Sequence, residues 1–147
     1  MSPSKHIVAS GIISIAFAAC THSGGGTAAC FLSGILIDLD HIIDFWIAKK
    51  RFPRQYRDLY SFCTNEKAGK LHLIFHSYEL LAVLWFLCVF YKWNPVWLGL
   101  TVGMTLHIIF DAMTNSLRPL VYFLAYRIRH DFSKASTFPA EDYEKLV

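Results

Sequence analysis

The chain has 147 residues, enough for one domain, with 54% hydrophobic and 17% charged residues and a net charge of +3. A soluble domain usually carries about 25% charged residues, and a mean hydropathy of +0.37 leaves apolar surface that needs lipid to cover it, which excludes an ordinary soluble domain. Four scattered cysteines, Cys20, Cys30, Cys63 and Cys88, form no CxxC pair, so neither a disulfide framework nor a sulfur metal site is indicated.

The first apolar run, residues 7–21, follows a short polar start and ends at the turn Thr21-His22-Ser23-Gly24-Gly25-Gly26. Its start superficially resembles a signal peptide, but Ser10, Ser14 and Ala18 form an i+4 stripe suited to helix packing and further spans follow. It reads as a retained first helix. A second run, residues 28–48, closes on Lys49-Lys50-Arg51. Residues 49–70 hold seven basic residues against two acidic ones, a local charge of +5, which is a positive-inside signal. Nucleic-acid binding is not expected, because this block lies between two apolar segments rather than on a soluble face.

The third run, Leu71 to Phe90, stops at Tyr91-Lys92-Trp93-Asn94-Pro95. The fourth, Val96 to Met113, carries the GxxxG pair Gly99 and Gly103. Each run is near the ~20 residues that cross a bilayer, the first being short. Leu117 to Tyr126 is too short to span and contains Pro119, so it reads as an interfacial or re-entrant helix before a polar tail, residues 127–147. These elements predict an all-α integral membrane bundle of about four transmembrane helices in a single domain. The basic segment and both termini are expected in the cytoplasm, in line with Lys5, Arg127, Arg129 and Lys134, with Trp93 and Trp97 at the opposite interface.

Ionisable residues inside the runs carry the functional information. His6 opens the first helix, and Asp38, Asp40, His41 and Asp44 lie near the end of the second. His72, His76 and Glu79 lie in the first turns of the third, His107 and Asp111 in the last turns of the fourth. In an antiparallel bundle these starts and ends share one depth, on the side of the basic segment. His107 and Asp111 are i, i+4 and continue the Gly99–Gly103 stripe, which places them on the packed face. His72 and His76 are i, i+4, His76 and Glu79 are i, i+3, and Asp38 and His41 are i, i+3 in line with Gly34. Asp40 points to the other side of an ideal helix from Asp38 and joins the others only if the helix end unwinds. Charged groups in lipid cost several kcal/mol unless paired, which marks them as functional candidates. Imidazoles and carboxylates without thiolates suit Zn²⁺ first, with Mn²⁺ or Fe²⁺ as alternatives, and this many ligands allows one to three ions.

The order His6, Asp38-Leu39-Asp40-His41, His76-Ser77 and Gly103-xxx-His107-xxx-Asp111 resembles that of the LexA-regulated, inner-membrane, metal-dependent hydrolase family, over roughly residues 1–116. The family often has a His-Arg-Gly-x-Thr-His-Ser element. Here Leu71-His72-Leu73-Ile74-Phe75-His76-Ser77 lacks the Arg, Gly and Thr and spaces its histidines four apart, so only His76 and Ser77 carry across. The pattern is also similar to that of zinc-dependent phospholipase C, a helical enzyme with an HxxxD ligand pair. The resemblance implies a hydrolase of the bacterial inner membrane and phosphodiester chemistry. Together with the spacing it makes His6, Asp38, His76, His107 and Asp111 the first-choice ligands. Asp40, His41 and Glu79 would complete the sphere, with Glu79 and then Asp40 the candidates for general base. The basic segment would hold an anionic, phospholipid-like substrate beside the membrane lipid. The rival expectations are a non-catalytic metal-binding scaffold, an ion or proton pathway, and a lipid-binding subunit. Ligands confined to one leaflet weigh against the pathway.

Overall fold

The computed structural model describes residues 3–64, 70–115 and 118–137. Glu66 and Lys67 of the basic segment, Leu117, and the tail beyond residue 137 lie outside the described residues. Among the described residues the regular structure is helical, without strands: α1 (Pro3–Thr21), α2 (Gly24–Leu36), α3 (Leu39–Lys49), α4 (Tyr56–Thr64), α5 (Tyr78–Phe90), α6 (Pro95–Thr114), a 3-10 turn (Pro119–Tyr122), α7 (Leu124–Arg129) and α8 (Lys134–Thr137). The chain divides into two compact units, Met1–Ile37 with Tyr78–Asn115, and Asp38–Ser77 with Ser116–Val147.

The first unit contains α1, α2, α5 and α6. α2 starts at Ser23, whose hydroxyl accepts from the Gly26 N–H at 3.2 Å. α6 starts at Asn94, whose side chain accepts from the Val96 N–H at 3.0 Å, with Pro95 at the first helical position. Small residues then let α2 and α6 meet backbone to backbone. A Cβ on Gly99 would overlap the Gly26 carbonyl oxygen, and one on Gly103 would overlap the carbonyl oxygen of Cys30 and the Ser33 hydroxyl. The GxxxG stripe therefore lies on the packed face, as its spacing predicts. Gly103→Ala is expected to destabilise by about 1–3 kcal/mol, because neither backbone can yield without separating the helices. Gly11→Ala is the control, since a Cβ there meets nothing within 4 Å. Thermal unfolding in detergent compares the two, and equal midpoints would mean that the close approach is not stabilising.

The polarity of α1 is inverted relative to a soluble helix. His6, Ser10 and Ser14 are buried, the Ser14 hydroxyl donating to the Ser10 carbonyl at 2.7 Å, while Val8, Ile12 and Ile15 are 62%, 65% and 72% exposed. Phe86 and Phe90 of α5 and Met113 of α6 are exposed as well. A soluble helix turns its apolar stripe inward and its polar residues to water. Among the described residues two helices, over Ser4–Thr21 and Pro95–Thr114, are long and apolar enough to cross a membrane. α2 and α5 have 13 residues each, which is about 20 Å of helix, less than a ~30 Å hydrocarbon core.

Two of the expected runs differ from the observed helices. The second is interrupted at Ile37–Asp38, where the helix re-forms as α3. The third begins seven residues late, at Tyr78 rather than Leu71, so His72 and His76 do not share a helix face. The reason is visible in the second unit. Asp44 accepts from the N–H groups of His72 (2.8 Å) and Leu73 (3.3 Å), and Asp40 accepts from those of Phe75 and His76. On the other side of the same segment, the buried Arg127 guanidinium donates to the carbonyls of His72, Leu73 and His76. Backbone groups that a helix would pair with one another are taken by side chains instead.

The rest of this unit closes around that segment. Leu71 N–H donates to the Phe132 carbonyl at 2.8 Å, and Lys70 pairs with Asp131 at 2.6 Å. The ring of Phe45 from α3 meets that of Phe62 from α4 edge-on at 5.4 Å. Lys134 is buried, donates to the Phe62 carbonyl at 2.8 Å and stands 4.1 Å from the centre of the Phe62 ring. Arg127 and Lys134, expected as cytoplasmic topology charges, are interior structural groups here. The C-terminal apolar piece forms the 3-10 turn and α7 rather than one helix.

Candidate metal centre

In the first unit, α1 and α6 deliver His6, His107 and Asp111, all buried, to one point. His6 Nε2 lies 3.1 Å from one Asp111 carboxylate oxygen and His107 Nε2 lies 3.4 Å from the other. The two imidazoles stack at 3.9 Å with a 14° angle between planes. Each residue offers a ligand atom, and these atoms lie within 4.8 Å of one another. His107 Nδ1 is 2.7 Å from the Gly34 carbonyl oxygen. A carbonyl can only accept, so Nδ1 carries the proton, and in the neutral ring Nε2 is left with its lone pair towards the Asp111 carboxylate. A second ring proton or a bound cation would balance the facing nitrogen and carboxylate, and a histidine ligand is typically oriented by such an outer hydrogen bond. The donor set therefore fits a divalent ion.

The second unit groups Asp38, Asp40, His41 and His76. Asp38 stands at the start of α3 but makes no capping bond with its side chain. Its carboxylate instead faces His76 Nε2 at 3.7 Å and His41 Nε2 at 3.9 Å. His76 Nδ1 is 3.2 Å from Asp40. Asp40 thus orients the His76 ring through Nδ1 and turns Nε2 toward Asp38, while it also accepts two backbone N–H groups. Asp40 lies in the first turn of α3, just past the interruption at Ile37–Asp38. Asp44, near the end of the second expected run, is 2% exposed and holds His72 Nδ1 at 2.7 Å. Glu79 lies in the first turn of α5, half-buried, and is not a member of the His6–His107–Asp111 group.

Several participants left little trace in the sequence. The Gly34 carbonyl is a backbone group, invisible to residue type. Arg127 follows an apolar stretch and looks like an end charge. Cys63, in α4, places its sulfur 3.5 Å from His41 Nδ1. Burial pushes the Cys63 thiol up to about 11, with the nearby Asp44 and Asp38 carboxylates raising it and Lys134 only partly offsetting. Alkylation of Cys63 is therefore expected to run roughly 10²-fold slower at neutral pH than that of an ordinary thiol, since only the thiolate reacts. The rate should climb about tenfold per pH unit until the thiol titrates near 11. Mass-spectrometric quantification of Cys63 labelling against pH checks this, and a rate that levels off below pH 9 would contradict it.

No family model matches the sequence, no curated protein matches it, and no solved structure matches it at a significant level.

Proposed function

We propose that the protein is a membrane-embedded, metal-dependent hydrolase acting on a phosphodiester or phospholipid-like substrate at the cytoplasmic face of the bacterial inner membrane. The observation that carries this reading is the buried pairing of His107, its tautomer fixed by the Gly34 carbonyl, with Asp111 and His6. A divalent ion held there, Zn²⁺ first by donor chemistry, would supply Lewis-acid assistance to hydrolysis. Membrane insertion is supported by the inverted polarity of α1 and by the length of α1 and α6, and the cytoplasmic side by the basic segment after α3; four crossings with both termini cytoplasmic complete the proposal. The hydrolytic assignment is supported by the ordered His/Asp motifs and their resemblance to the inner-membrane hydrolase pattern.

In this reading His6, His107 and Asp111 of the first unit bind the ion, and Asp38, His41 and His76 of the second unit form a separate candidate group. Asp40 orients His76 through Nδ1. Glu79 takes the proton from the attacking water. Metal analysis of full-length protein purified in mild detergent with zinc or manganese present gives the ion and its stoichiometry. Turnover of a fluorogenic phosphodiester or phospholipid then separates catalysis from binding. Glu79→Gln is expected to keep metal content and thermal midpoint while turnover falls roughly 10²–10⁴-fold, the usual worth of a general base. Loss of metal in that variant would make Glu79 a ligand instead. Stoichiometric metal with no hydrolysis of any such substrate would leave a metal-binding scaffold in place of an enzyme.

A further inference from the structure

The stretch from the end of α3 through α4 combines two kinds of exposed side chain. Lys49, Lys50, Arg51, Arg54 and Arg57 are all exposed, against the single carboxylate of Asp58. Among them stand Trp46, Phe52, Tyr56 and Tyr60, of which Phe52 is 68% exposed. Trp46 and Phe52 stack at 6.4 Å and Tyr56 and Tyr60 lie 6.1 Å apart, so each pair forms one continuous aromatic surface. Asp58 is occupied locally, by Arg51 at 3.5 Å and by the Arg54 N–H at 3.2 Å. The opposite face of α4 is spent on packing, with Phe62 buried against Phe45. A topology signal needs only the charges. It does not need four large aromatic rings displayed with them.

We infer that this surface is a docking site for anionic phospholipid, its rings seated at the headgroup level and its cations on lipid phosphates. The inference rests on the membrane reading above and adds the lipid class and the residues that select it. Amphipathic rings are favoured at the membrane–water boundary, where one edge is wet and the other apolar. Basic residues at the surface of an anionic leaflet each add about fivefold to binding, and salt weakens them. Nucleic acid would also use rings and cations. It is disfavoured because the stretch directly continues an apolar helix whose Ile43 and Ile47 are exposed as well.

The test uses the full chain in a mild non-ionic detergent, titrated with phosphatidylglycerol or phosphatidylcholine, with bound lipid counted by native mass spectrometry. The wild-type protein should retain phosphatidylglycerol at least about tenfold over phosphatidylcholine. The triple variant Lys49→Gln, Arg54→Gln, Arg57→Gln should lose about 10²-fold in phosphatidylglycerol affinity, at about fivefold per charge. Phosphatidylcholine retention should be unchanged. Phe52→Ser with Tyr56→Ser should weaken both lipids. These residues are exposed, so thermal midpoints near wild type are expected throughout. Equal retention of the two lipids by the wild type, or no change in the triple variant, overturns the inference. Complete displacement by millimolar inorganic phosphate would reassign the surface to free anions, and displacement by a short RNA would reassign it to nucleic acid. Release of wild-type protein from native membranes by alkaline carbonate would sink the membrane-spanning reading alone, since lipid selectivity is measured separately.

Discussion

Asp111→Asn is expected to abolish metal binding at the His6–His107–Asp111 group and to lower the thermal midpoint to that of chelator-treated wild-type protein. The asparagine keeps the shape but loses the charge that balances a dication, and its amide group would face an imidazole nitrogen where a carboxylate oxygen now stands at 3.1 Å or 3.4 Å. An ion that binds only the folded chain stabilises it by about 4 kcal/mol at a thousandfold excess over its dissociation constant. Wild-type protein should therefore gain stability on adding Zn²⁺ after chelation, and Asp111→Asn should not. His107→Ala should behave alike, with an added packing loss where the stacked ring is removed. Elemental analysis and unfolding curves with and without chelator measure both quantities. An Asp111→Asn protein that keeps its metal and its zinc response would remove the His6–His107–Asp111 site, and the hydrolase proposal built on it.

The second large effect is expected at Arg127. Its guanidinium donates to three backbone carbonyls of the segment that carries His72 and His76, and it is 2% exposed. Arg127→Met fills similar volume but removes the guanidinium from the His72 and His76 carbonyls, at about 1–3 kcal/mol for each buried acceptor left unmade, while the Leu73 carbonyl keeps the His76 N–H at 3.1 Å. A total loss of about 3–5 kcal/mol is expected, enough to unfold a marginal protein. Arg127→Lys should recover only part of it, because a single ammonium cannot span three acceptors as a planar fork does. Limited proteolysis between Leu71 and Ser77, alongside unfolding curves, reads out the change. Wild-type protection in Arg127→Met would mean that Asp40 and Asp44 hold the segment without help from below.

The two sites differ in how much of them was legible in the sequence, and the difference has a physical cause. His107 and Asp111 could be placed on the packed face because four residues of rigid helix separate them and the glycines above them share that spacing. α6, observed over Pro95–Thr114, lies within a residue of the expected run at each end. Its neighbour α5 did not follow hydropathy. Leu71, Leu73, Ile74 and Phe75 look like the start of a span, yet Asp40 and Asp44 take the backbone N–H groups that a helix needs. Hydropathy weighs side chains and is blind to such distant acceptors. The same blindness hid Arg127 and Lys134, whose charges look solvent-bound until the carbonyls they satisfy are seen.

The outward face of α1 has a consequence for how freely this helix can vary. Val8, Ile12 and Ile15 touch the surroundings rather than neighbouring helices, and the positions that fit the rest of the unit are His6, Ser10, Ser14 and Phe17. What the outer positions must satisfy is a solvent, not a shape. Any apolar residue of reasonable helix propensity meets that demand, so sequence drift there should run unchecked between leucine, isoleucine, valine and phenylalanine. The polar side tolerates almost nothing, because Gly34 sits against the Ser10 hydroxyl with no room for a methyl group. A water-soluble version of this helix would accordingly be made by rewriting its exterior with glutamate and lysine and leaving every interior residue as it is.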